Sequence, residues 1–177
     1  MLDGGKLLLR LNLQDRDAAP TLMYAAETVN RLSALGLPTF LEPLLVERAA
    51  SGSWQVLRTA EALMPLLGVA SALGSSSAHT WLKLPMVAEM GRAARATTLP
   101  ILLLGGDSAG EPEKVLHSIQ EACQAAPNVR GLMIGRSVLF AGAGIDPQSM
   151  AVAAARVARG RWSATEAAAS LSREVQP

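Results

Sequence analysis

The sequence predicts an α/β fold built on a parallel sheet. Five short apolar runs, each bounded by Gly, Pro or Ser, alternate with helical patterns along the 177 residues, which is the order of strands and helices that a parallel sheet requires. The runs are nearly continuous in Leu, Ile and Val, as buried parallel strands are. The third observation concerns pleat: three of the runs carry charged or polar residues on one face, which bears on how the sheet closes.

Residues 6–11 (KLLLRL), 37–41 (LPTFL), 78–84 (AHTWLKL), 100–104 (PILLL) and 129–134 (VRGLMI) read as the strands. A long helix is expected over 18–35, with Asp17 as N-cap and Gly36 as its stop. A second spans 58–73, kinked at Pro65. A short one follows over 86–95, and another over 113–125 opens after Pro112. Asp146-Pro147 supplies an N-cap and a first-turn proline for 148–159. Ser163-Ala-Thr-Glu166 is a capping-box pattern that introduces a last Ala-rich helix.

Two architectures suit this order. A doubly wound, flavodoxin-like sheet is complete with five strands and needs both faces apolar. A (β/α)8 barrel takes about 250 residues, so five of its eight units would be present. In the first strand Leu7, Leu9 and Leu11 share one face, while Lys6, Leu8 and Arg10 share the other. The next two strands group Phe40 with Glu42, and His79 with Trp81 and Lys83. Arg10, Glu42 and Lys83 thus fall near the carboxyl ends of three successive strands, where barrel enzymes hold their chemistry. The pleat favours a partial (β/α)8 barrel.

Composition bounds the function. Sixteen Lys and Arg against fifteen Asp and Glu leave a net charge of +1, without the basic excess of a nucleic-acid or anionic-membrane binder. Three Trp, two Phe and one Tyr are too few for base-stacking platforms. A single cysteine, Cys123, excludes an internal disulfide framework and fits a reducing cytoplasm. No run reaches the ~18 apolar residues of a membrane span.

Lys83 is the residue that points most directly to chemistry. Burial at a strand end, beside a cation such as Arg10, would favour its neutral form, and a neutral lysine can attack a carbonyl to form a Schiff base; the alternative is a lysine snorkelling into solvent. Gly105-Gly106 and Gly135-Arg136 close the last two strands, where glycine amides can approach an anion and Arg136 can add a clamp. The alternative is ordinary turns. Glu42 reads either as a general acid/base or as an ion-pair partner of Arg10 or Lys83. His79 reads as a core polar group, Asp107 as a cap, and His117 and Cys123 as chemically silent helix residues.

Trp81-Leu-Lys83-Leu-Pro85, Leu99-Pro-Ile-Leu-Leu-Leu-Gly105-Gly106-Asp107 and Val129-Arg-Gly-Leu-Met-Ile-Gly135-Arg136-Ser137 occur in one order. Together they resemble the C-terminal half of class I, Schiff-base aldolases of the deoxyribose-phosphate and archaeal fructose-bisphosphate aldolase superfamily. With Gly4-Gly5-Lys6-Leu-Leu-Leu-Arg10 and Leu41-Glu42-Pro43 they resemble more closely its Cgl0159-like branch. The resemblance implies that the chain is a single aldolase-like domain, strands four to eight of a barrel, with 163–177 as a C-terminal helix and tail. It implies a fragment lacking strands one to three and the first-strand aspartate that relays protons in related aldolases.

On that resemblance Lys83 is the Schiff-base lysine, Arg10 and Glu42 assist it, and Gly105, Gly106, Gly135 and Arg136 bind phosphate. The implied activity is reversible carbon–carbon cleavage of a phosphorylated sugar or hydroxy-carbonyl compound, with no metal or organic cofactor. The implied partner is a small phosphorylated substrate, with no nucleic acid or membrane, and a homo-oligomer stays open. The competing expectation is an inactive barrel fragment or a phospho-ligand-binding protein.

Overall fold

Five parallel strands stand side by side in the order in which the chain makes them. The computed structural model describes residues 3–105 and 110–173. The elements are β1 (Gly5–Leu11), α1 (Ala18–Ala34), β2 (Thr39–Arg48), β3 (Trp54–Val56), α2 (Ala60–Ser71), β4 (Thr80–Pro85) and α3 (Met90–Ala94). Then come β5 (Ile101–Leu104), α4 (Pro112–Gln124), β6 (Val129–Met133), α5 (Arg136–Leu139), α6 (Pro147–Ala158) and α7 (Ala164–Arg173). The sheet order is β1-β2-β4-β5-β6, all parallel, and β3 pairs antiparallel with β2. A flavodoxin-like sheet would reverse direction once in its strand order. The unbroken progression seen here is that of a barrel wall.

Pleat separates the two faces of the sheet as the sequence implies. Leu9, Leu41, Leu82, Leu84, Ile101 and Leu103 are buried in one cluster with Ala25 and Val29 of α1 and Leu63, Leu66 and Leu67 of α2. Each such leucine contributes about 1.5–3 kcal/mol by leaving water. The other face carries Lys6, Leu8 and Arg10 from β1, with Leu8 still 45% exposed. On it Phe40 and Trp81 meet at 6.3 Å between ring centroids. A second core joins α4, α6 and α7 through Leu116, Ile119, Met150, Ala153, Ala167 and Leu171.

The second strand is longer than residues 37–41. Its ladder with β4 stops at Leu41 opposite Leu82, two residues before Pro43, which has no N–H to donate. Its ladder with β1 continues to Leu45. The chain then turns back as a hairpin in which Val46 faces Val56 and Arg48 faces Trp54, with the Arg48 guanidinium 5.0 Å over the indole. Neither β3 nor the single-turn α5 is foreseen from the sequence, because both are too short to show a period.

Three of the helix ends marked in the sequence form the bonds their residues imply, and the one at Asp17 does not. Gly36, at φ +67°, ends α1, and the Leu37 N–H donates back to the Leu32 carbonyl at 2.9 Å. The Ser149 N–H donates to Asp146 at 2.8 Å. Ser163 and Glu166 form the reciprocal box, Ser163 N–H to Glu166 at 2.7 Å and Glu166 N–H to Ser163 at 3.2 Å. Asp17 occupies its expected position, but its side chain caps nothing; the Thr21 hydroxyl bonds its carbonyl instead.

Candidate active site

Because β2 and β4 part company after Leu41 and Leu82, the next residues, Glu42 and Lys83, are side-chain partners without a ladder between them. Lys83 Nζ donates to Glu42 Oε2 at 3.0 Å, and Lys6 Nζ lies 2.7 Å from the same oxygen. The Glu42 and Lys83 side chains are 11% and 17% exposed. Burial pushes the Glu42 carboxyl up, but the hydrogen bonds and charges of Lys6 and Lys83 outweigh it and hold the group below its ordinary 4.5.

A cavity of about 260 Å³ opens at the carboxyl ends of the parallel strands. It brings together Arg10, Glu42, Lys83, Gly105, Gly135 and Arg136, which the sequence reading places along more than a hundred residues of chain. Gly106 and Asp107 lie outside the described residues. A Cβ on Gly105 would stand 2.6 Å from the Ser137 hydroxyl, so this turn has room only for glycine; at Gly135 nothing lies within 4 Å. A larger groove, about 470 Å³, runs between β6 and α6, but among the described residues its lining holds no acid and no lysine.

One alternative is decided and one expectation requires correction. Of the two expected partners Glu42 pairs with Lys83, and also with Lys6, while Arg10 lines the cavity without an ion pair among the described residues. His79 is exposed, at the turn before β4, with its carbonyl accepting from the Thr39 N–H at 2.8 Å. Position 79 precedes the strand, so pleat alternation does not carry its side chain inward. His117 is likewise exposed on α4, and burial pushes the Cys123 thiol up, away from thiolate chemistry.

Two cations escaped the sequence reading. Arg58 lines the cavity but reads from sequence as the start of a helix, because the hairpin that turns the chain back to it leaves no periodic trace. Lys6 shares the polar face of β1, but residue spacing does not show that its side chain reaches Glu42. Among the described residues the cavity therefore carries four cationic side chains, Arg10, Arg58, Lys83 and Arg136, against one carboxylate.

A sequentially ordered parallel sheet, with a charged cavity at its carboxyl ends, defines a protein with the wall of a (β/α)-barrel. The chain belongs to the Cgl0159-like family, which is matched over residues 1–159. The crystal structure of Cgl0159 from Corynebacterium glutamicum is 37% identical, with a TM-score of 0.82, covering 91% of this chain and 53% of that one. A fructose-bisphosphate aldolase from Slackia heliotrinireducens superposes with a TM-score of 0.73 at 16% identity, covering 97% of this chain and 54% of that one. A Schiff base-forming fructose-1,6-bisphosphate aldolase gives 0.60 at 15% identity, with 98% and 58% covered. The chain thus spans a little over half the length of these structures. No curated protein matches it. Among the described residues no helix is long and apolar enough to cross a membrane.

Proposed function

We propose that the chain carries the lysine centre of a Schiff-base aldolase, acting on a small phosphorylated sugar or hydroxy-carbonyl compound, and that its five parallel strands correspond to strands four to eight of the barrel. The observation that carries this reading is Lys83 Nζ, mostly buried and 3.0 Å from a carboxylate, in a cavity shared with Gly105, Gly135 and Arg136.

The Lys83 amine attacks the substrate carbonyl carbon, and the carbonyl electron pair takes a proton to give a carbinolamine. Loss of water leaves an iminium. The bond between the α and β carbons then breaks, its electrons passing to the iminium nitrogen as an enamine, while the β-hydroxyl proton leaves to a base and the β carbon departs as an aldehyde. Reprotonation and hydrolysis return the amine. Glu42 is within reach to take and return these protons. The iminium is the electron sink, so the chemistry calls for no metal or organic cofactor. Arg10, Arg58 and Arg136 favour a phosphate in the cavity, since walls of one sign concentrate counter-charge.

Borohydride reduction in the presence of dihydroxyacetone phosphate is expected to add the mass of the reduced ketone phosphate to Lys83, read by peptide mass spectrometry. Folded protein with an unmodified Lys83 would refute the lysine centre. The excess of cations favours one second reading, a phospho-ligand-binding protein without turnover. Inorganic phosphate would then raise the melting temperature with no imine trapped.

A further inference from the structure

The chemistry above leaves one charged side chain of the site without a task. Lys6 Nζ approaches Glu42 Oε2 at 2.7 Å, closer than Lys83 at 3.0 Å. Lys6 stands opposite Phe40 in the β1–β2 ladder, two residues below the level at which Leu8 faces Glu42. It therefore reaches the carboxylate from beneath. Among the described residues the cavity lining includes Glu42 and Lys83 but not Lys6. Lys6 touches the acid and not the space a ligand would fill.

Two cations on one oxygen matter when one of them is consumed. Once Lys83 is a carbinolamine or an imine it is no longer the ammonium that pairs with Glu42. A carboxylate this buried, left without a cation, takes up a proton rather than keep an unpaired charge. Lys6 preserves one ion pair throughout. Both lysines occupy Oε2, and Oε1 accepts no side-chain hydrogen bond among the described residues. Among the described residues the remaining charged groups around the cavity are Arg10 from β1, Arg58 after β3 and Arg136 after β6, all cationic.

We propose that Lys6 is a positioning residue that clamps Glu42 through Oε2 and keeps it anionic while Lys83 is covalently occupied, so that Oε1 exchanges protons with the ligand. The proposal rests on the Schiff-base reading. Its ground is the shared oxygen.

Two measurements on the full chain test it. In protein labelled with 13C at the glutamate side-chain carboxyl, with Glu42 assigned by its loss in Glu42→Gln, the Glu42 midpoint is expected to move to higher pH in Lys6→Met and to return in Lys6→Arg. Lys6→Gln replaces Lys6→Met should that variant unfold. In the second, cyanoborohydride traps dihydroxyacetone phosphate on Lys83 at pH 5 and pH 8. The ratio of adduct at pH 5 to that at pH 8 is expected to fall several-fold in Lys6→Met relative to the unsubstituted chain, and to recover in Lys6→Arg. An unsubstituted chain that forms adduct, with a Lys6→Met variant of unchanged midpoint and unchanged ratio, overturns the role of Lys6 alone. No adduct in the unsubstituted chain overturns the Schiff-base reading and the catalytic half of this proposal with it, even if the midpoint moves.

Discussion

Glu42 holds two ammonium groups on one oxygen, and its removal would leave those cations facing each other beside a largely apolar sheet. Its carboxyl lies below the ordinary 4.5, so the sign of its linkage to stability is determined. The contribution is complete above the unfolded-state value and is lost as the pH falls through the lower, folded-state one. Glu42→Gln is therefore expected to melt at a lower temperature than the unsubstituted chain at pH 7. The gap should narrow as acid protonates Glu42 in the unsubstituted chain. Melting followed by circular dichroism from pH 3 to pH 7 checks this, and a gap independent of pH would contradict the ion-pair assignment. Six residues that line the cavity were legible as candidates from strand ends and pleat: Arg10, Glu42, Lys83, Gly105, Gly135 and Arg136. Lys6 and Arg58 were not, because a long flexible side chain meets its partner through tertiary geometry that residue spacing does not encode.

At the scale of elements, what could be read was set by how local the determining chemistry is. The Ser163–Glu166 box uses donors and acceptors within one turn, so the sequence pattern and the structure agree. Asp17 carries the right residue type, but Asp15 accepts its backbone N–H at 3.2 Å and its own side chain caps nothing. Ser163→Ala is accordingly expected to cost about 1 kcal/mol, while Asp17→Ala should leave stability within a few tenths. Paired urea melts measure both, and equal losses would contradict the difference in capping. The length of β2 was illegible for another reason. Pro43 reads as a strand terminator, yet here it marks only where one of two ladders ends, and the other carries the strand on to the hairpin.

Across the whole molecule the sheet is paired unevenly. β4 and β5 have neighbours on both sides, whereas β1 and β6 are each paired on one side only among the described residues. Backbone groups with no ladder partner exchange with solvent readily. Amide hydrogen exchange is expected to be slowest in β4 and β5 and faster along the outward amides of β1 and β6. Equal protection at the edges would mean that they are covered by association of chains, as exposed sheet edges invite.

Taken by itself, the sequence determined what depends on near neighbours: alternation of strands and helices, the capping turns, and which face of each strand is apolar. Pleat and helical period are properties of a few consecutive residues. The tertiary structure alone decided the hairpin that delivers Arg58 to the cavity and the sharing of one Glu42 oxygen by Lys6 and Lys83. Those features depend on which strands lie side by side and where their ladders stop. Such distances are set by the packing of the whole sheet rather than by any single stretch of it.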